Sequence, residues 1–375
     1  MKTTKQQIYK RQTTLAEIGE TGQQKLLQTK IIVVGCGGLG SVAAVYLAAS
    51  GIGTIHLVDY DVVDASNLHR QVFYKTNNIG KPKAEVLADH IKEITPFVKV
   101  SYSTTAISKS SVFDAINDSD FVLDCTDSLP IKYLLNDACV LKDKALIYGS
   151  LYKFDGYIAS FNIAQENGDF SANLRDAFPE ISQEAIPNCS EIGTLNTIVG
   201  IIGLMQANEV LKLVCHIGKP LIDWLLIYNS LENSQYKMKL KKVFTKAMVQ
   251  QLFEQEPYFD AACEVQDTSL LITANELKEL LNKGSDNLSG QENDLKAKGL
   301  CIISVIEDDT FDYPFLIQEQ IPLSQLNLEL IDLIPNNNYI IVCQKGITSY
   351  TATLKIKEKY PHLKVLSLQG GIQNY

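Results

Sequence analysis

Three things are missing from this chain: a surplus of positive charge, paired cysteines and an apolar leader. Lysine and arginine number 34 against 43 aspartates and glutamates, a formal charge of −9 at pH 7. A general nucleic-acid binder needs basic residues to neutralise phosphates, so that class is set aside. The N-terminus, Met1-Lys2-Thr3-Thr4-Lys5-Gln6-Gln7, has no apolar signal-peptide core. No run is read as approaching the roughly 20 apolar residues of a membrane span. No membrane partner and a cytoplasmic location are expected. The eight cysteines (36, 125, 139, 189, 215, 263, 301 and 343) are scattered, with no Cys-x-x-Cys pair among them. That excludes a disulfide scaffold and argues against a structural zinc site, whose ligands come in close pairs. Most of the eight are expected to pack as small buried hydrophobes.

What the chain does have is organised around Ile31-Ile32-Val33-Val34-Gly35-Cys36-Gly37-Gly38-Leu39-Gly40. Four β-branched residues predict a buried parallel strand. The glycines allow a tight turn and close approach of a phosphate, and residues 41–50 predict a helix whose N-terminus faces it. A second apolar strand ends in an acid, Ile55-His56-Leu57-Val58-Asp59. Strand, glycine loop, helix, strand and acid make the first half of a Rossmann-like nucleotide site, with Asp59 placed for a ribose hydroxyl. This points to an adenine nucleotide without saying which one.

The 375 residues suggest two or three domains. Residues 1–28 read as polar and helical, interrupted at Gly19 and Gly22. From Ile31 to Tyr148 strands alternate with helices, which predicts α/β architecture with a mostly parallel sheet. Residues 156–163 alternate as an antiparallel strand. Residues 165–190 read as a long polar loop, and 193–214 as a long apolar helix carrying Asn196, Gln206, Asn208 and Glu209. The expected organisation is a nucleotide-binding domain over 1–243, a linker over 244–267 and a smaller α/β domain over 268–375. The second domain opens with a helix capped by Thr273 and Glu276.

Arg70 and Lys83 follow the acid-tipped strand, close to where a nucleotide's phosphates would lie. Asp127 ends a parallel strand, where a carboxylate can hold Mg²⁺ against phosphate oxygens, and Asn67 can bridge to ribose or phosphate. Such a set suits a triphosphate whose charge must be neutralised and attacked. Arg11-Gln12 after a tyrosine, the Gly-x-Gly-Gly-x-Gly loop, Asp59-x-Asp61, Ser66-Asn67-Leu68-x-Arg70-Gln71, Gly80-Lys81-Pro82-Lys83 and Asp124-Cys125-Thr126-Asp127 together resemble the ThiF/MoeB family, over about residues 8–242. These are bacterial relatives of ubiquitin-activating enzymes. The resemblance implies that ATP·Mg²⁺ adenylates the C-terminal glycine of a small ubiquitin-like sulfur carrier ending in Gly-Gly, releasing pyrophosphate. It implies an ATP-binding set of Gly35, Gly37, Gly38, Gly40, Asp59, Asp61, Ser66, Asn67, Arg70, Lys83, Asp127 and Ser128. Within it, Asp127 positions Mg²⁺. It further implies a homodimer in which Arg11 reaches the neighbouring subunit's site.

Two cysteines stand apart. Cys189, in Pro187-Asn188-Cys189-Ser190-Glu191-Ile192-Gly193, precedes a long helix, a setting that favours a nucleophilic thiolate. In the family a cysteine here takes the activated carrier as a thioester or mixed disulfide. Cys343 opens Cys343-Gln344-Lys345-Gly346-Ile347-Thr348-Ser349 between a strand and a helix, a loop able to aim backbone N–H groups at sulfur. Residues 268–375, with Gln369-Gly370-Gly371-Ile372, resemble a rhodanese domain, whose loop cysteine carries a persulfide. A persulfide donor such as a cysteine desulfurase is then a partner.

Three departures accompany the resemblance. Where the family often has two zinc-binding Cys-x-x-Cys pairs, this chain has Phe170-Ser171-Ala172-Asn173 and Cys263 with Gln266, so no zinc is expected. Thr348 stands where the rhodanese loop usually has arginine. Ser304-Val305-Ile306 replaces an Asp-Val-Arg. The expected function is carrier adenylation followed by sulfur transfer, serving molybdopterin or thiazole synthesis. The alternatives are an NAD-dependent oxidoreductase, which leaves Arg70, Lys83 and Asp127 without a task, or a non-catalytic carrier-binding scaffold.

Overall fold

The computed structural model describes residues 4–179, 193–256, 258, 267–282, 299–307, 311–323, 326, 337–344 and 346–375. The chain forms two compact units, Met1–Phe259 and Asp260–Tyr375.

The first unit begins with two helices, α1 (Lys5–Thr13) and α2 (Gly19–Gln28). Of the two glycines read as interruptions, Gly19 starts α2 and Gly22 lies inside it. An eight-stranded sheet follows, built from β1 (Lys30–Val34), β2 (Thr54–Val58), β3 (Lys99–Ser103), β4 (Phe121–Asp124), β5 (Ala145–Tyr152), β6 (Asp155–Phe161), β7 (Trp224–Asn229) and β8 (Ser234–Lys239). Its order is β3-β2-β1-β4-β5-β6-β7-β8. The first five strands are parallel and the last three antiparallel. Helices α3 (Gly38–Ala49), α4 (Lys83–Ile94), α5 (Val112–Ile116) and α6 (Leu129–Leu141) provide the crossovers. From β1 the strand order runs outward one way through β2 and β3 and the other way through β4 and β5, so the sheet's switch point lies between β1 and β4.

Helix α7 (Leu174–Ala177) is a short turn, and α8 (Asn196–Cys215) is 20 residues long. The expectation that no segment approaches a membrane span is corrected here: α8 is long and apolar enough to cross one by length and composition. Its polar residues show that it is a core helix instead. Gln206, fully buried, donates its amide to Asp124 O (2.8 Å) and Ile147 O (3.2 Å). Glu209 accepts from Ser160 Oγ (2.8 Å) and from Leu221 N–H (2.7 Å). These bonds fix α8 to the sheet, and a helix apolar all round is one that is covered on most sides.

The expected linker opens with a helix, α9 (Lys246–Gln255), which Thr245 caps. It packs on α6 within the first unit, with Val249 and Phe253 buried. Tyr258 O–H donates to Asp137, a buried carboxylate also gripped by Arg175 on α7.

The second unit is a five-stranded, all-parallel sheet in the order β11-β10-β12-β13-β9. Its strands are β9 (Leu271–Ile272), β10 (Leu300–Ser304), β11 (Glu319–Gln320), β12 (Asn338–Val342) and β13 (Lys364–Leu368). Helices α10 (Ala274–Asn282) and α11 (Ile347–Lys359) belong to it. The expected cap of α10 is present: Thr273 N–H donates to Glu276 Oε2 (2.8 Å) and Glu276 N–H to Thr273 Oγ1 (3.2 Å). Apolar side chains cover both faces of this sheet, with Ile302, Ile340 and Leu368 on one and Ile303, Ile341 and Val365 on the other. That double burial is what an all-parallel sheet requires.

Candidate functional site

Register brings three loops to one edge of the first sheet. Val34 lies level with Val58 on one side and with Asp124 on the other, so the chain leaves β1, β2 and β4 at the same height. The glycine loop follows β1, Asp59 follows β2, and Asp127 follows β4. Gly35 turns with φ +88°, and a Cβ on Gly40 would sit 1.8 Å from Gly35 O. Only glycine allows the loop to fold back this closely onto the first turn of α3. The loop is also closed from above, because a Cβ on Gly38 would strike Val199 of α8 at 2.2 Å.

Asp59 is committed to the loop. Its Oδ2 accepts Cys36 N–H (2.6 Å) and its Oδ1 accepts Asp61 N–H (2.8 Å). Burial pushes its carboxyl up to about 6 against the opposing pull of Lys83 and the two N–H donors. Lys83, buried at the start of α4, pairs with the exposed Asp61 at 2.8 Å. Lys83 and Asp61 are thus brought together and share charge. Tyr74, which the sequence reading missed, donates its hydroxyl to Cys36 O (2.6 Å) and Lys83 O (3.3 Å), pinning the glycine loop to the start of α4. Its place beside Val72 and Phe73, in a short apolar run between polar segments, was the available signal.

Residues 65–71 form a turn against the same loop. Arg70 Nη1 donates to Ser66 O (3.1 Å) and lies 3.0 Å from His69 Nε2, while Arg70 O is 3.8 Å from where a Gly38 Cβ would stand. Gln71 is buried with its Oε1 unpartnered, and Ser41 Oγ at the start of α3 is likewise buried and unpartnered. Asn67 caps its own turn with Asp64, and Ser128 Oγ caps α6 by accepting Ile131 N–H (3.4 Å). Asp127 and Arg11 are exposed, and neither side chain makes a hydrogen bond or ion pair with a described residue. The glycine cradle, the unpartnered buried polar atoms and the uncommitted carboxylate fit a phosphate-bearing nucleotide with its cation. Cys36 in the loop and Cys125 beside it are buried, and burial pushes both thiols up, which marks them as packing groups. Cys189 lies outside the described residues.

In the second unit Cys343 directly follows β12, and its Sγ accepts Gly346 N–H (3.1 Å) and Ser349 N–H (3.2 Å). The Ser349 hydroxyl lies 3.2 Å from the sulfur and accepts Ser367 Oγ–H at 2.8 Å. Gly346 caps α11 with φ +78°, and its Cα faces the Gly370 and Gly371 amides so closely that no side chain fits. Ile372 N–H to Cys343 O (2.9 Å) and Gln373 N–H to Gln344 O (3.1 Å) brace the loop from behind. The two altered positions have been absorbed into packing. Ser304 Oγ pairs with Tyr313 O–H at 2.7 Å, and Ile306 lies against the apolar side of the sheet.

The region where the family often places its first zinc ligand pair is held by other contacts. Phe170 and Asn173 lie beside Lys242, Phe244 and Lys246, and residues 263–266 lie outside the described residues. Asp176 Oδ1 accepts the N–H groups of Val243 (2.6 Å) and Phe244 (2.9 Å), and Lys242 donates to Phe170 O (2.8 Å). Among the described residues no cluster of histidine, cysteine and carboxylate ligands forms a metal site.

A profile of the ThiF family matches residues 9–248. Over 97% of its length the chain is 32% identical to a protein named "Probable adenylyltransferase/sulfurtransferase MoeZ" from Mycobacterium tuberculosis, of which it covers 91%. Over 64% of its length it is 37% identical to the "Sulfur carrier protein adenylyltransferase" of Thermus thermophilus, 90% of which is covered. Among solved structures, Escherichia coli MccB superposes with TM-score 0.57 at 20% identity, covering 64% of this chain and 73% of that one. That likeness speaks for the fold. Sequence, sheet order and glycine loop agree, and the chain belongs to the ThiF family.

Proposed function

We propose that this chain is an enzyme that uses ATP to adenylate the C-terminal glycine of a small ubiquitin-like sulfur carrier and then passes sulfur to it. The observation that carries the reading is the meeting of the glycine loop, Asp59 and Asp127 at adjacent strand ends, with Arg70 on the turn and Lys83 at the start of α4 beside them. The relatives bearing adenylyltransferase and sulfurtransferase names support it over nearly the whole chain.

The carrier's terminal carboxylate attacks the α-phosphorus, and pyrophosphate leaves. An attacking carboxylate is already ionised, so no general base is required. In-line positioning and cations for the developing charge carry the rate. The glycine loop holds the phosphates against the α3 N-terminus, and Asp59 takes ribose hydroxyls. Asn67, Arg70 and Lys83 hold and polarise the phosphates, with Asp61, Ser66 and Ser128 flanking them. Asp127 would hold Mg²⁺, which supplies charge neutralisation at the phosphates. Arg11 completes the site of a second subunit in a homodimer. Cys189 takes the activated carrier as a thioester or mixed disulfide. Cys343 delivers sulfur received from a persulfide donor of the cysteine desulfurase class. ATP–pyrophosphate exchange in the presence of a Gly-Gly-ending carrier tests the reading. Nicotinamide-dependent turnover without exchange would replace it with the oxidoreductase, and no turnover of either kind with the scaffold.

Asp59 gives this site a pH signature. Its raised carboxyl favours the protonated form in the folded protein below about 6. That contribution to stability is present at low pH and is lost as pH rises through about 6. Nucleotide binding needs the ionised form to accept ribose O–H groups. Affinity for a non-hydrolysable ATP analogue is therefore expected to fall below pH 6, by up to about tenfold per pH unit. Calorimetric titration between pH 5 and 8 checks this against Asp59→Asn, which flattens that arm. Parallel profiles for the two proteins would remove Asp59 from the ribose.

We further expect the chain to hold no zinc. The hydrogen bonds of Asp176 and Lys242 supply the cross-links that a metal would supply. Elemental analysis of purified protein should find well under one zinc per chain, and a chelator should leave Tm unchanged. A stoichiometric metal, or a Tm lowered by chelation, contradicts the expectation.

A further inference from the structure

The Asp124 carboxylate is fully buried, yet it lies three residues before the exposed Asp127 at the nucleotide edge of β4. Both of its oxygens lie 3.2 Å from Lys132 Nζ on α6, which is itself 4% exposed. Lys132 donates a further bond to Gly149 O at 2.8 Å and stands over the Tyr148 ring, 5.0 Å from its centroid. One ammonium thereby ties the end of β4 to the middle of β5. The same Asp124 Oδ1 accepts Thr126 N–H (3.1 Å) and Thr126 Oγ1–H (2.8 Å). Gln206 holds Asp124 O from the other side. Every polar atom of Asp124 is thus engaged, and the carboxylate fixes the turn over residues 125–127.

A hydrophobic side chain at position 124 would pack here more cheaply, because burying two charges is costly even when they pair. What the ion pair adds is direction. It orients Thr126, the residue next to Asp127, and it neutralises an anion that would otherwise repel phosphates at this edge.

We propose that Lys132, acting through Asp124 and Thr126, is a positioning residue that aims the Asp127 carboxylate at the cation on the nucleotide's phosphates. This rests on the role of Asp127 proposed above. None of the three residues touches the nucleotide; they set where Asp127 points, as outer-shell groups do for metal ligands.

The test titrates Mn²⁺, standing in for Mg²⁺, into the full chain saturated with a non-hydrolysable ATP analogue. Free Mn²⁺ is read by electron paramagnetic resonance. Affinity for the analogue without metal and Tm are measured alongside. Asp127→Asn, as reference, should weaken Mn²⁺ binding most. Thr126→Val, which deletes the hydroxyl and keeps the shape, should weaken it about tenfold with metal-free analogue affinity unchanged. Thr126→Ser should restore it, and Lys132→Met should behave as Thr126→Val or worse. Where Lys132→Met fails to fold, the Thr126 pair carries the test. Wild-type Mn²⁺ affinity in Thr126→Val while Asp127→Asn has lost it overturns the proposal. So does a Thr126→Ser variant as weak as Thr126→Val. Wild-type affinity in Asp127→Asn itself places the error in the reading of Asp127, and the positioning role falls with it.

Discussion

Arg70→Ala should lower ATP–pyrophosphate exchange by at least about 10³-fold, equivalent to about 4 kcal/mol of transition-state stabilisation. The guanidinium is held by Ser66 O beside the His69 ring, on the turn that packs against Gly38. The other cation proposed for the phosphates, Lys83, already shares its charge with Asp61. In the proposed mechanism Arg70 thus carries the larger part of the charge that the departing pyrophosphate needs. Its own contacts lie at the surface, so Tm should stay within a few degrees of wild type, and the loss should fall on the chemical step. Initial exchange rates at saturating ATP and carrier decide the matter. Near-normal exchange would show that another group polarises the phosphates.

Cys343→Ala should leave exchange within about twofold of wild type and bring thiocarboxylate formation to background, a loss of at least about 100-fold. The first half follows from the fold, since the residues proposed for adenylation all belong to the first unit and Cys343 to the second. The second half follows from the loop. Two backbone N–H groups and the Ser349 hydroxyl converge on one sulfur, a cradle for a charged persulfide even where Thr348 replaces the usual arginine. Mass spectrometry of the carrier after incubation with ATP and a persulfide donor measures the product. Unchanged thiocarboxylate yield would show that the loop is idle and that sulfur arrives by another thiol.

The parts of this fold legible in the sequence were those with a local cause. β-Branched runs gave β1 and β12, the Thr273–Glu276 box gave the start of α10, and the glycine loop gave the first crossover. The parts not legible depend on partners distant in the chain. Gln206 reads as a polar blemish on an apolar helix until β4 and β5 are seen to present their carbonyls to it. Lys132 reads as a surface lysine on α6 until Asp124 and Gly149 O are found beneath it. Two-residue strands such as β9 and β11 have no periodicity to detect; they exist because a neighbouring strand pairs with them. For the site, residue types and spacing pointed to the phosphate loop and its acid. The pairing of Lys83 with Asp61 and the clamp from Tyr74 were visible only in three dimensions.

The contact between α8 and the glycine loop also bears on how the protein is made. Val199 closes over Gly38 from more than 150 residues further along the chain, and the same helix packs on α2, where Cys215 Sγ lies 3.9 Å from Gly22 O. Strands β1 to β5 with their helices leave the ribosome before α8 does, and until it arrives the face of α3 that meets α8 has no cover. Loop-closure entropy must be met across that whole span before these contacts form, which makes the docking of α8 a late event in folding. The phosphate loop, translated among the first forty residues, is therefore among the last parts of its unit to be secured.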